Sequence, residues 1–214
     1  MDDFSFADIL VNLLFAARWT LALTLVAFVG GGLAGLVVLI ARIARRPWLN
    51  RAASAYIALF QGTPLLLQLF VVFFGLPLIG LQIEPWLAAS FALTVYASAY
   101  LAEIWRGGVE AVPEGQWEAA AALGLPFFAR LRLVILPQAL RATLPPAVGF
   151  LVQLVKATAV TSIIGFTEMM KTANAINNAT FEPFTVYSVV ALIYFAICFP
   201  LTTYGRWLEA GPSR

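Results

Sequence analysis

The sequence predicts an all-α membrane protein with five transmembrane helices and a cytoplasmic helix between the third and the fourth of them. Of its 214 residues, 62% are apolar and 11% are charged, whereas soluble domains carry about 25% charged residues. The apolar residues form five stretches, each long enough to cross a hydrocarbon layer of about 30 Å. Arginines gather in alternate connections between these stretches. Helices are the expected form because lipid offers no partners to exposed backbone N–H and C=O groups.

The five stretches leave no room for a separate extramembrane domain, so we predict a single membrane domain over residues 1–214. Pro47 and the arginines before it stop the first stretch. Tryptophans stand at most of the predicted ends, as expected of interfacial anchors rather than of ligand cages. The predicted spans cover residues 19–43, 55–79, 86–105, 140–164 and 184–207, and the anchors are Trp19, Trp48, Trp86, Trp105 and Trp207.

The placement of basic residues predicts the orientation. Two connections and the C-terminal segment are rich in arginine, whereas the N-terminal segment carries three aspartates and the second connection has only Glu84 as a charged residue. Arginine-rich segments stay in the cytoplasm, so we expect the N-terminus outside and the C-terminus inside. The basic residues are Arg42, Arg45, Arg46 and Arg51, then Arg106, Arg130, Arg132 and Arg141, and finally Arg206 and Arg214; the aspartates are Asp2, Asp3 and Asp8.

Residues 113–137, between the third and the fourth span, form the segment that we call the coupling loop. Pro113 opens it, and the run Glu118-Ala-Ala-Ala-Ala-Leu-Gly124 is rich in strong helix formers. Gly124 is suited to end that helix, and Pro126 can open the next one, which we expect to reach about residue 136. By composition alone, the segment could also be an ordinary amphipathic connector.

The run from Glu118 to Gly124, followed after nine residues by Val134-Ile-Leu-Pro137, resembles the EAA loop of the membrane subunits of bacterial ATP-binding-cassette (ABC) importers. The resemblance implies a type I ABC importer transmembrane domain, whose short coupling helix docks into a groove on an ATPase subunit. It assigns ATPase coupling to Glu118, Ala119, Ala120, Gly124, Leu136 and Pro137.

Gln61-Gly-Thr-Pro64 interrupts the second span. Pro64 has no N–H and disfavours helical geometry at Thr63, so the helix is expected to kink or break there. Such a break could line a translocation pathway or could only shape packing. The segment Gly62-Thr-Pro-Leu-Leu66 is similar to segments of the amino-acid subgroup of these importers, of the histidine, glutamine and arginine type.

Glu103 and Arg106 close the third span, and their spacing of three residues lets them pair on one helix face. The runs around them, Ala-Glu-Ile and Arg-Gly-Gly, are also similar to the amino-acid subgroup. We interpret the pair as a structural brace of the coupling loop, with direct substrate contact as the alternative.

Further polar residues at membrane depth are candidates for the substrate pathway, because such residues usually face the bundle interior or a water-filled cavity. Lys156 could face the pathway, cap free carbonyls or pair with an acid such as Glu103. Hydroxyls in membrane helices more often bond to their own backbone than to a ligand. The candidates are Gln61, Thr63, Gln68, Tyr96, Lys156, Thr161, Ser162 and Glu168.

The resemblance implies a permease subunit of an ATP-driven importer of polar amino acids in the bacterial inner membrane. Its implied partners are a second permease subunit (the same or a related chain), two cytoplasmic ATPase subunits and an extracytoplasmic solute-binding protein. The sequence has no glycine-rich phosphate loop ending in Gly-Lys-Ser/Thr, so we expect ATP and Mg²⁺ on the partner ATPase.

Two other classes remain. An ATP-independent amino-acid channel or secondary carrier would leave the coupling loop without a role. A membrane enzyme is the weakest reading, because the chain has no histidine and a single cysteine, Cys198. These counts also predict no metal site.

Overall fold

The computed structural model describes residues 5–44 and 46–210, and all the regular secondary structure in these ranges is helical. We number eight helices within them: α1 (Phe6–Ile43), α2 (Pro47–Gly62), α3 (Leu65–Leu78), α4 (Pro85–Glu110), α5 (Glu114–Ala122), α6 (Phe127–Ile164), α7 (Met169–Thr180) and α8 (Pro183–Ala210). Asp2, Asp3, Arg45 and Arg214, which contribute to the predicted orientation, lie outside the described residues.

Four of these helices, α1, α4, α6 and α8, are long and apolar enough to cross a membrane. α2 and α3 make a fifth span only as a pair, because the chain bends by 104° between them. The described ranges therefore hold four candidate spans, or the predicted number of five if α2 and α3 count as one span broken at Pro64.

α1 begins well before the predicted start of the first span. Ser5 and Asp8 form a capping box: the Ser5 side chain accepts from the Ala7 N–H, and the Asp8 carboxylate accepts from the Ser5 N–H at 3.0 Å. This cap starts a helix of 38 residues, about 57 Å long. Its N-terminal part, around Ile9 and Leu13, is buried against α7 and the first half of α8.

α6 is one continuous helix where the sequence predicts two, one ending at about residue 136 and the other a span over residues 140–164. The helix that opens after Pro126 passes through a π-helical turn at Leu131–Ile135 and continues past Pro137 to Ile164, with 3₁₀ geometry from Thr158 onward. Proline cannot donate a backbone hydrogen bond, but the hydrogen-bond pattern already changes in the preceding π turn. The coupling loop is therefore continuous with the fourth span.

The most extensive helix packing lies between α1 and α4. A Cβ atom added at Gly31 would lie 2.5 Å from the Ala97 Cβ, and one added at Gly35 would lie 2.9 Å from the Ser98 carbonyl oxygen. The facing side of α4 is alanine-rich and buried. Small residues let membrane helices approach closely where lipid supplies no hydrophobic drive, so glycine and alanine hold this pair together.

Candidate functional site

The coupling loop contains a short helix, as predicted. α5 follows Pro113 and ends at Gly124, whose φ of +75° is the left-handed conformation that favours glycine. The Leu125 N–H donates to the Ala120 carbonyl oxygen at 3.2 Å, which closes the turn. Pro126 then precedes α6.

α5 is fixed to the transmembrane helices by a small core of its own. Ile135 is fully buried there, and Ala120, only 3% exposed, faces inward. Trp117 packs against this core and is a contact that the sequence analysis did not single out. The remaining core residues are Val109 and Val112 from the end of α4, and Leu131, Val134 and Ala139 from α6. The loop and the bases of α4 and α6 are thereby joined.

The opposite side of the coupling loop is exposed. Glu118, Ala119, Gly124 and Pro137 lie at the surface, and Leu136 is 39% exposed. Large apolar side chains accompany them, with Leu123 at 80% and Phe128 at 82% exposure and Phe127 and Leu133 also exposed. The exposed part of the coupling loop therefore carries both apolar and charged side chains.

α4 crosses α6 closely just before the coupling loop. A Cβ atom added at Gly108 would lie 2.1 Å from the Thr143 Cγ2 and 2.9 Å from the Ala139 carbonyl oxygen, whereas one added at Gly107 would meet nothing within 4 Å. Only glycine fits at position 108. The coupling loop therefore begins directly after a tight contact between α4 and α6.

A charged network lies at the same end of the bundle. Arg106 donates to Glu103 at 2.7 Å and also contacts Glu110, so the predicted Glu103–Arg106 pair is present. Arg42 of α1 approaches Glu103 at 3.9 Å and donates to Asn50 of α2 at 2.8 Å. The network links the ends of α1, α2 and α4, which supports the interpretation as a brace.

The break between α2 and α3 is capped by Gln68. This side chain is 9% exposed, and its amide nitrogen donates to the Phe60 carbonyl oxygen at 2.8 Å and to the carbonyl and hydroxyl oxygens of Thr63, each at 3.0 Å. Gln68 thus replaces the hydrogen bonds lost at Pro64. Thr63 also donates from its hydroxyl to the Leu59 carbonyl oxygen.

We expect Gln68→Leu to destabilise the protein. It leaves carbonyl oxygens at the break without donors, and each unsatisfied buried polar group costs about 1–3 kcal/mol. The measurement is the thermal unfolding midpoint of the protein in detergent. Gln61→Leu is the matched control, since Gln61 is exposed and makes one bond of 3.3 Å to the Ala99 carbonyl oxygen. Equal midpoints for the two variants would contradict the capping role.

Two of the pathway candidates, Gln61 of α2 and Tyr96 of α4, make hydrogen bonds between helices. Gln61 donates to the backbone of Ala99, and the hydroxyl of Tyr96 accepts from Gln153 of α6 at 3.2 Å. Tyr96 also packs against Phe150. Gln153 is exposed at membrane depth and was missed in the sequence analysis, although its spacing of three residues from Lys156 places both on one helix face.

Lys156 lies one helical turn after Gln153 on α6, beside residues of α8. It is exposed and lines a cavity of about 470 Å³ between α6 and α8 together with Tyr194 and Cys198. It makes no ion pair within the described ranges, and Glu103 is engaged by Arg106 and Arg42 instead. The suggested pairing of Lys156 with Glu103 is therefore absent from this conformation.

The last three candidates are buried and bonded within the chain. The hydroxyls of Thr161 and Ser162 donate to the carbonyl oxygens of Thr158 and Ala159, both at 2.7 Å. Glu168 is 0% exposed. In this conformation these groups support the backbone rather than face an opening.

Glu168 joins α1 to α7. It precedes α7, and its carboxylate accepts from the Lys171 N–H at 2.8 Å and from the Thr20 hydroxyl of α1 at 3.3 Å. The Thr20 hydroxyl oxygen in turn accepts from the Met169 N–H at 3.3 Å. Glu168 lies outside the helices that are long enough to span the membrane, and its burial raises the pKa of the carboxyl above its ordinary value.

Comparison with known proteins gives consistent matches. Residues 27–214 match the family model described as binding-protein-dependent transport system inner membrane component. The chain is 36% identical over 191 residues to the probable amino-acid ABC transporter permease protein YckA of Bacillus subtilis, which covers 89% of this chain and 84% of that protein. It is 37% identical over 192 residues to the arginine transport system permease protein ArtQ of the same organism, with 89% and 87% covered.

Solved structures share the fold. A crystal structure of an amino acid ABC transporter with histidines matches with a TM-score of 0.90 and 33% identity, covering 96% of both chains. An inward-facing structure of the methionine ABC transporter MetNI matches with a TM-score of 0.78 and 25% identity, covering 94% of this chain and 97% of that one. The helices described above therefore have the arrangement of a type I ABC importer transmembrane domain.

Proposed function

Because this chain belongs to the family of binding-protein-dependent transport system inner membrane components, we propose that it is the membrane subunit of an ATP-driven importer of polar amino acids. The observation that carries this proposal is the coupling loop. It presents an exposed surface of Glu118, Leu123 and Phe128, while Ala120 and Trp117 fix it to α4 and α6. Such a segment can receive a displacement from a partner and pass it to the transmembrane helices.

The proposed mechanism is alternating access. ATP binding closes a pair of ATPase subunits, and α5 moves with them because the exposed side of the coupling loop is bound to the ATPase. The small core around Ile135 and the tight crossing at Gly108 transmit that displacement to α4 and α6. Tilting of these helices opens the pathway outward, and hydrolysis resets it. ATP shifts the equilibrium only as far as the ATPase binds the two states differently.

The orientation follows the distribution of arginines, with the N-terminus outside, the C-terminus in the cytoplasm and the coupling loop in the cytoplasm. The partners are a second permease subunit, two ATPase subunits that bind ATP and Mg²⁺, and a solute-binding protein outside. The relatives named as amino-acid permeases support an amino-acid substrate.

The pathway is proposed to run past the polar residues exposed on α2 and α6 and past Tyr96 of α4. Gln61 and Gln153 are exposed there, and Gln153 holds the hydroxyl of Tyr96. Lys156 lies one turn further along α6 and could bind a carboxylate, since it is exposed and free of an ion pair within the described ranges. Glu168, Thr161 and Ser162 then act by holding the backbone.

The test of the proposal is co-purification followed by an ATPase assay. The chain is expressed with a tag together with the ATPase and membrane subunits encoded beside it, and hydrolysis is measured with the binding protein and a panel of amino acids. We expect a stable complex whose hydrolysis one or a few amino acids stimulate. A chain that purifies alone and exchanges amino acids without ATP would instead be a channel or secondary carrier.

Gly124→Val is expected to uncouple hydrolysis from transport while membrane insertion stays intact. A β-branched residue at a φ of +75° costs at least about 1–2 kcal/mol. The side chain itself would meet nothing within 4 Å inside this chain, so the strain acts on the end of α5. The measurement is amino-acid uptake per ATP hydrolysed in proteoliposomes. Gly124→Asn is the control, because asparagine tolerates the left-handed conformation, and unimpaired uptake by the valine variant would refute the coupling role.

A further inference from the structure

An open cleft lies where the predicted outer ends of the spans meet. It has a volume of about 740 Å³. Its walls come from α1, from the start of α4 and from the turn that follows α6. The lining residues are Trp19, Glu84, Pro85, Trp86, Gly165, Phe166 and Thr167.

Three aromatic rings line one continuous wall of the cleft. The ring centroids of Trp19 and Trp86 are 5.7 Å apart at an angle of 68°, and those of Trp86 and Phe166 are 5.2 Å apart at 44°. Phe166 is 8% exposed, and Trp86 packs against the core between α1, α4 and α6. These rings therefore face one another and the protein. The anchoring role that the sequence predicts for Trp86 stays a prediction, and the ring in addition packs within the protein.

A carboxylate without a partner completes the lining. Glu84 is exposed, makes no capping hydrogen bond to α4 and forms no ion pair within the described ranges. Gly165 adopts a φ of +90°, and this turn brings Phe166 and Thr167 to the cleft. Arg18 is adjacent to Trp19 in the sequence; its guanidinium lies 3.4 Å from the centroid of the Phe15 ring and 5.3 Å from that of the Trp19 ring, and Arg18 is not among the lining residues.

Aromatic walls and a carboxylate together select an organic cation. The faces of tryptophan and phenylalanine attract ammonium and guanidinium groups, and tryptophan does so most strongly. Glu84 adds an opposite charge at the same cleft. An anion would be repelled by both features, and an apolar ligand would leave the carboxylate unused.

We propose that this cleft binds the ammonium or guanidinium group of an amino acid at the outer face before it enters the membrane domain. The inference rests on the proposed function, because the outer location and the amino-acid substrate come from there. The site is separate from the polar residues on α4 and α6, since none of them lines the cleft.

The test is a titration of the full complex in lipid nanodiscs. Tetramethylammonium chloride and L-arginine are the probes, with sodium chloride at equal ionic strength as the reference, and tryptophan fluorescence is the readout because Trp19 and Trp86 form the wall. We expect saturable binding of both probes and mutual competition. Glu84→Gln should raise the Kd at least about tenfold. The matched control is Glu182→Gln, which removes another exposed acid outside the lining.

Trp19→Leu is the second variant, because Trp19 is 41% exposed and its loss leaves the core intact. We expect this substitution to weaken the binding of both probes as well. Titrations that do not saturate, or an equal Kd in the Glu84→Gln and Glu182→Gln proteins, would overturn the proposal. If the probes bind in a Glu84-dependent way but the complex shows no ATP-driven uptake, the proposed function is contradicted and the site is not. Normal ATP-driven uptake, together with a probe Kd that Glu84→Gln leaves unchanged, would overturn the site but not the proposed function.

Discussion

Gly108→Ala is expected to reduce ATP-driven uptake at least about tenfold and to lower the stability of the complex. The new Cβ would lie 2.1 Å from the Thr143 Cγ2 and 2.9 Å from the Ala139 carbonyl oxygen. Atoms do not approach that closely, so α4 and α6 must separate. Overpacking of this kind costs about 1–3 kcal/mol, occasionally more. The separation falls directly before the coupling loop, where it also disturbs the transmission of movement.

Gly107→Ala provides the matched control. The same methyl group at the neighbouring position would meet nothing within 4 Å, and alanine is the better helix former. We expect this variant to retain uptake and to unfold at the same or a higher temperature. Thr143→Ser removes the Cγ2 and should partly rescue Gly108→Ala, although the contact with the Ala139 carbonyl oxygen persists. Equal uptake by the two alanine variants would contradict the tight crossing.

Glu168→Ala is expected to destabilise the protein by about 3 kcal/mol. It removes the side chain that caps α7 by accepting from the Lys171 N–H, worth about 1 kcal/mol, and it leaves the buried Thr20 hydroxyl without its acceptor, at a cost of about 1–3 kcal/mol. The measurement is the thermal unfolding midpoint in detergent. Glu182→Ala is the surface control, because Glu182 is exposed. A midpoint equal to that of the control would refute the role of Glu168 as a link between α1 and α7.

Glu168→Gln distinguishes the contribution of the hydrogen bonds to stability from that of the charge. The amide oxygen can still accept one of the backbone bonds, so we expect a much smaller loss than with alanine. Because burial raises the pKa of Glu168, the folded chain holds the proton more tightly than the unfolded chain does. The wild-type protein should therefore lose stability as the pH rises from the ordinary glutamate pKa through the raised one. Unfolding midpoints measured over that pH range should fall in the wild type. The part of this fall that Glu168 causes should be absent from the glutamine variant.

Much of the fold is predictable because local chemistry determines it. Apolar stretches give the number of spans, Pro64 breaks the second, and Gly124 ends α5 in the left-handed conformation. The early start of α1 was missed because Arg18 and Asp8 interrupt the apolar run. The capping box of Ser5 and Asp8 was nevertheless present in the sequence and could have revealed it.

The site is less predictable because it depends on which residues meet in space. Gln68 was a pathway candidate, yet it lies across the break and donates to Phe60 and Thr63. The only sequence signal for Gln153 is its spacing of three residues from Lys156, and its bond to Tyr96 is visible only in the structure. The close approach at Gly108 depends on Ala139 and Thr143, which lie 31 and 35 residues further along the chain, and no local pattern encodes it.

The measurement that tests the central claim most directly is uptake by purified protein. The chain is reconstituted in proteoliposomes with its ATPase and solute-binding protein, and uptake of radiolabelled amino acids is followed with ATP, without ATP and with a non-hydrolysable ATP analogue. The account predicts concentrative uptake that requires ATP hydrolysis, the ATPase and the solute-binding protein. It also predicts that Gly124→Val strongly reduces this uptake. Uptake or exchange by the chain alone, at the same rate without ATP, would contradict it.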